Sequence, residues 1–95
     1  MRYKVKIGSQ ASRDIVRIFE YIQDREQNSE PAEKFTNALV DAAFELGEFP
    51  YRGQIMKRRR KARRLLHGNY LIIFEVREEQ KHIEILRFIH GAQIK

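Results

Sequence analysis

Tyr70-Leu71-Ile72-Ile73-Phe74-Glu75-Val76, followed after the polar segment Arg77 to Gln80 by His82-Ile83-Glu84-Ile85-Leu86-Arg87-Phe88-Ile89, is the part of the chain from which the architecture can be read. Both runs are rich in β-branched and aromatic residues and carry apolar side chains on both parities. Strands inside a sheet show that pattern, because neighbours cover both of their faces. Upstream, Leu65-Leu66 leads through the turn-like His67-Gly68-Asn69 into the first run, so the C-terminal half reads as a three-strand antiparallel meander. Arg87 stands within an apolar strand, and a cation there must pair or reach the edge.

At the N-terminus, Tyr3, Val5 and Ile7 alternate with Arg2, Lys4 and Lys6, the period of a strand with one wet face, and Gly8 ends it. Ala11, Ile15, Ile18, Phe19 and Ile22 then recur at helical spacing, with Arg13, Arg17, Glu20 and Asp24 on the outer face and Ser9 or Ser12 as the cap. The polar segment Arg25 to Ser29 breaks that helix. Pro31, at a first helical position, opens a second stripe of Ala32, Phe35, Leu39, Ala42, Ala43 and Leu46, closed by Gly47 and Pro50. Phe19, Phe35 and Phe44 are expected in the core. The predicted architecture is α+β, one domain over residues 1–95. A helical hairpin packs on a four-stranded, mainly antiparallel sheet, in the order β-α-α-β-β-β.

Composition agrees with a packed domain: 42% hydrophobic and 34% charged residues among 95, without cysteine. The missing thiols exclude a disulfide framework, a thiolate zinc site and a cysteine nucleophile. No apolar run approaches the roughly 20 residues that span a bilayer, and MRYKVKIGSQ has no signal-peptide core, so a cytoplasmic protein is expected. His67, His82 and His90 match no metal-ligand spacing, and neither metal nor cofactor is expected.

The formal charge of +6 is segregated. Residues 1–8 sum to +3, residues 9–48 to −5 and residues 49–95 to +8. Seven of the eight positions from Lys57 to Arg64 are cationic (Lys57, Arg58, Arg59, Arg60, Lys61, Arg63 and Arg64), interrupted by Ala62. Mutual repulsion and the cost of desolvating unpaired cations place this run in solvent or against an anionic partner.

In this order the residues resemble the RelE/ParE superfamily of bacterial toxin-antitoxin toxins, more closely its ParE-like, plasmid-stabilisation branch. The likeness rests on Tyr3 and Val5; Ala11, Asp14-Ile15, Ile18 and Tyr21-Ile22; Ala32, Phe35, Leu39, Leu46-Gly47, Pro50 and Arg52-Gly53. Asn69 to Phe74 and Ile85 to Ala92, with its His-Gly-Ala ending, complete it. The resemblance implies a growth-inhibiting toxin silenced by a cognate, acidic, ParD-like antitoxin. ParE-like members are described as poisons of DNA gyrase and RelE-like members as cutters of messenger RNA in the ribosome.

Cleavage through a 2′-hydroxyl needs a proton acceptor, cations for the developing phosphorane and a proton donor for the leaving oxygen. The RelE-like branch places a basic residue after the glycine of its last strand and a tyrosine further on. Here Gly91 is followed by Ala92 and Gln93, and the sequence ends at Lys95, leaving that tyrosine no position. Many ParE-like members also carry arginine where Gln93 stands. His90, beside Arg87, is the histidine suited to a general base or a target contact.

Three readings follow. The first is a non-catalytic gyrase poison that grips its target through Lys57 to Arg64, Arg87 and His90, with nucleic-acid contact open to the basic run. The second is a ribosome-dependent endoribonuclease, and the third a non-toxic member of the fold. The antitoxin is expected along the sheet and basic run, with an apolar groove beside the helical hairpin as its other seat.

Overall fold

In a computed structural model, which describes residues 2–93, the chain runs β1 (Lys4–Ile7), α1 (Ser9–Glu26), α2 (Ser29–Glu45), β2 (Gln54–Ile55), β3 (Ala62–His67), β4 (Tyr70–Arg77), β5 (His82–His90) and a final 3-10 turn (Gly91–Gln93). The strands form one sheet in the order β1-β5-β4-β3-β2. β1 lies parallel to β5, and every other pairing is antiparallel. The sheet thus has five strands rather than the four expected. The extra one, β2, is only two residues long and pairs Gln54 with Arg64 and Ile55 with Arg63, too short to leave a periodic signature.

The helices cover one sheet face. Ala11, Ile18, Ile22, Ala32, Leu39, Ala43 and Leu46 pack against Ile72, Phe74, Ile83, Ile85 and Phe88 in the main core. Leu71 and Ile73, alternating with Ile72 and Phe74, point to the opposite face. There they form a second cluster with Ala62, flanked by Met56, Leu86 and Ile89. Two clusters on two faces account for the apolar residues at both parities.

In β5 the inward residues are Ile83, Ile85 and then Phe88, a step of two followed by a step of three. The pairing shifts at the same place, Ile73 opposing Arg87 and Phe74 opposing Ile85, which leaves Leu86 as an extra residue. This is a β-bulge, and it reverses which parity faces the helices.

Three local expectations are corrected. α1 begins at Ser9 with Gly8 as its cap and no side-chain hydrogen bond, so neither Ser9 nor Ser12 caps it. Gly8 belongs there because its N–H is bound to Ile85 O at 2.9 Å, and a Cβ would stand 2.8 Å from that oxygen. α2 is capped by Asn28, whose side chain accepts from Glu30 N at 3.0 Å, so Pro31 falls within the first turn rather than at its first position. Phe44 is 50% exposed rather than core, bordering a groove of about 600 Å³ between β1 and the end of α2.

Candidate target-binding surface

The cationic run is divided by the fold. Lys57 to Lys61 belong to the exposed connection between β2 and β3, whereas Arg63 and Arg64 stand half-buried within β3. The run, expected in solvent or against a partner, is thus exposed only up to Lys61, and Arg63 and Arg64 are partly covered within the sheet. Ala62, fully buried, pins the end of the connection to the second apolar cluster. The paired arginines escape the desolvation penalty because they find oxygen. Arg63 donates to Tyr51 O at 3.1 Å with its guanidinium 5.3 Å from the Tyr51 ring, and Arg64 donates to Gln54 Oε1 at 3.4 Å.

Glu75 organises the rest. It is buried on β4 opposite Ala62 and takes Arg59 at 3.0 Å on one oxygen and Arg77 at 3.1 Å on the other. Arg59 is thereby a tether that draws the basic connection over the sheet face away from the helices. Lys57, Arg58, Arg60 and Lys61 make no side-chain hydrogen bond or ion pair among the described residues and remain exposed. The result is an apolar sheet face bordered by cations.

Gly53 fixes where the connection starts. Its φ is +84°, and a Cβ there would strike Arg64 O. Only glycine suits that combination of left-handed backbone and close approach.

Arg87 and His90 stand elsewhere. Across β4, Arg64 and Arg87 flank Ile73 in register, but the Arg87 side chain is committed to Asp14 of α1, Nε to Oδ2 at 2.7 Å and an NH2 group to Oδ1 at 3.1 Å. Asp14 Oδ2 also accepts the Phe88 N–H at 2.9 Å. β1 ends at Ile7, opposite Ile85, so the edge of β5 beyond it needs another acceptor, and Asp14 supplies one. The hydrogen bond to Asp14 raises the Arg87 pKa, against a smaller opposing effect of desolvation.

His90 pairs with Tyr70 at the far end of the sheet, five residues along β4 from the Ala62–Glu75 pair and so about 17 Å away by strand rise. Its ring meets Tyr70 edge-on at 5.2 Å, and Tyr70 meets Phe35 at 5.3 Å. His90 Nδ1 accepts the Ala92 N–H at 3.2 Å, which leaves Nε2 to carry the hydrogen in the neutral ring. Burial raises the Tyr70 pKa, with the Tyr21 phenol adding to it and Arg25 opposing. These rings line a cavity of about 450 Å³ together with Tyr21, Arg25 and Asn69.

The nine residues expected at one site thus fall into three places: the exposed connection, the arginines within the sheet, and His90 at its end. Two anchors, Asp14 and Glu75, were given no part in the site by sequence reasoning. Each carried a signal: Asp14 falls on the helical stripe between Ala11 and Ile18, and Glu75 interrupts an apolar run. Gln93 is placed by its backbone in the final turn, but its side chain, like Ile94 and Lys95, lies outside the described residues. Among the described residues no three His, Asp or Glu side chains gather as a metal site, and no helix is long and apolar enough to cross a membrane.

Two helices on one face of this five-stranded mixed sheet form the RelE/ParE-like toxin fold. The chain is similar in structure to the toxin-antitoxin complex RelBE2 from Mycobacterium tuberculosis, at a TM-score of 0.73 and 22% identity over 95% of this chain and 99% of that one. It is likewise similar to the chromosomal ParDE toxin-antitoxin system from P. aeruginosa, at a TM-score of 0.80 and 20% identity over 94% and 96%. No curated protein sequence gives a significant match. The profile of the ParE toxin of type II toxin-antitoxin systems, parDE, matches residues 5–95, and the chain belongs to that family.

Proposed function

We propose that the protein is a non-catalytic toxin that docks on DNA gyrase and stabilises the cleaved-DNA complex. The observation that carries this reading is the exposed cationic connection Lys57 to Lys61, tethered by Arg59 to Glu75 beside the sheet face that carries Ala62, Leu71 and Ile73. Such a surface suits a partner that offers both apolar area and phosphate or carboxylate charge. Arg87, which an RNA-cleaving site would need free to meet a phosphorane, is held by a carboxylate instead. Incubating the purified protein with gyrase, ATP and supercoiled plasmid should yield linear DNA after denaturation. New cuts in the A-site codon of translating ribosomes, with intact plasmid, would replace this reading with the endoribonuclease.

The antitoxin in this reading is an acidic segment that folds along the sheet face and the basic connection and neutralises them. The groove between β1 and α2 is its other seat, with Val5 and Phe44 as apolar lining and Lys4 and Lys6 on one wall. Crosslinking from Arg60 or from Phe44 to the antitoxin separates the two.

A further inference from the structure

Residues 9–48 are acidic overall and hold four bases, yet three of those bases share one line. Arg13, Arg17 and Arg25 follow one another on α1 at multiples of four residues, with Tyr21 completing the series. Successive positions of such a row lie about 6 Å apart on one helix face. All four side chains are exposed.

This row borders three neighbouring depressions that share lining residues, Arg17 between the first two and Tyr21 between the last two. Arg13 and Arg17 line the first, of about 190 Å³. Arg17 and Tyr21 face Tyr70 and His90 in the second, of about 210 Å³. Tyr21 and Arg25 face Phe35, Tyr70 and His90 in the third and largest, of about 450 Å³. Among the residues that line these three depressions the acid is Asp14, which Arg87 neutralises; outside them on the same helix Glu20 and Asp24 are exposed, and Glu26 pairs with Arg25 at 3.1 Å between two exposed side chains. An exposed pair of that kind is worth about 0–1 kcal/mol and yields readily to a better anion. The Arg25 guanidinium also stands 5.4 Å from the Tyr21 ring centre, within reach of the pocket mouth.

We propose that this row of depressions is a binding site for a nucleoside phosphate, distinct from the basic connection and going beyond the gyrase reading. The base enters the aromatic pocket between Tyr21 and the Tyr70–His90 pair. The His90 Nε2 hydrogen and the Asn69 amide meet its polar edge, and the phosphate lies on the arginine row. Aromatic rings beside arginines are the recurring means of holding single nucleotides, since every base has a π-face and every nucleotide an anion. A purely apolar occupant, such as a partner's aromatic side chain, would leave the arginine row unused.

The test is a titration of the purified full chain with AMP, adenosine, a short oligodeoxyadenylate and N-acetyltryptophan amide, read from the NMR signals of the His90 and tyrosine rings. AMP should shift His90 and Tyr70, and adenosine should bind more weakly. Arg25→Gln and Tyr21→Ser, both surface changes that leave the melting temperature in place, should each weaken AMP by about fivefold or more. An oligonucleotide that binds more tightly than AMP and loses that advantage in Arg17→Gln identifies the source as a nucleic-acid strand; equal affinities identify a free nucleotide. Absence of shifts at His90 and Tyr70 with AMP overturns the proposal, as does AMP binding that is indifferent to Arg25→Gln. N-acetyltryptophan amide binding as tightly as AMP also overturns it, in favour of a protein partner. None of these outcomes depends on whether gyrase is the target.

Discussion

Arg87 and Asp14, 73 residues apart, hold each other through two hydrogen bonds of 2.7 and 3.1 Å, and the same carboxylate receives the Phe88 N–H. One side chain thereby fastens α1 to the edge of β5 where β1 has run out. Asp14→Ala would leave both a backbone donor and a half-buried guanidinium without their acceptor. It should cost about 3 kcal/mol, measured as a lower urea midpoint. Asn at position 14 should recover part of the loss by accepting the Phe88 N–H. A variant Asp14→Ala as stable as the parent would show that the pair is incidental.

Glu75 is buried and holds one arginine on each carboxylate oxygen, and Arg59 is the link that matters for the surface. Glu75→Gln should lower stability by about 1–3 kcal/mol, because the arginines lose a charged acceptor. It should also speed hydrogen exchange at Lys57 to Lys61, whose connection loses its tether, while amides of β4 and β5 stay protected. Uniform exchange across connection and core would argue against the tether.

The four untethered cations should behave oppositely. Replacing Lys57, Arg58, Arg60 and Lys61 by glutamine breaks no side-chain hydrogen bond or ion pair among the described residues, so stability should change by within about 0.5 kcal/mol. Binding to duplex DNA or to an acidic antitoxin should weaken, and the salt dependence for DNA should flatten by about 0.9 log units for each phosphate that is no longer neutralised. Fluorescence anisotropy at several salt concentrations reads both quantities. An unchanged slope would mean that these side chains touch no phosphate.

Gly53 is the hinge of the same region. Gly53→Ala would force a side chain into left-handed backbone against Arg64 O, at a cost of about 1–3 kcal/mol. The short β2 pairing should be the part that gives way. Faster hydrogen exchange at Met56, whose N–H is bound to Ala62 O, would report it, with the main core intact.

Two phenols contribute to alkaline stability. Burial raises the pKa of Tyr70 above its ordinary 10.0, and burial together with the Glu78 carboxylate does the same for Tyr3. A raised value in the folded state means that the neutral phenol is the form the fold favours. Their contribution is full below about pH 10 and is lost as the pH rises from there through the folded values. Thermal melts should therefore fall above pH 10, and Tyr3→Phe with Tyr70→Phe should flatten that limb without altering the neutral range. The raised Arg87 pKa lies above this range and adds nothing to it.

Elements and their order were legible in the amino-acid sequence, because local periodicity writes strands and helices into a few consecutive residues. Tyr3, Val5 and Ile7 marked a strand, and the stripe from Ala32 to Leu46 marked the inner face of α2. The family was legible too, since the ordered set of short motifs survives without any geometry. Which charges are free was settled by tertiary structure. The run from Lys57 to Arg64 looks uniform in sequence, yet the fold gives Arg59 to Glu75, Arg63 to Tyr51 and Arg64 to Gln54, and leaves four cations in solvent. The arginine row on α1 meets its aromatic wall from β4 and β5 by the same means. Partners separated by 10 to 73 residues in the chain are chosen by strand register, by the bulge at Leu86 and by where β1 stops, and no local pattern records those three closures.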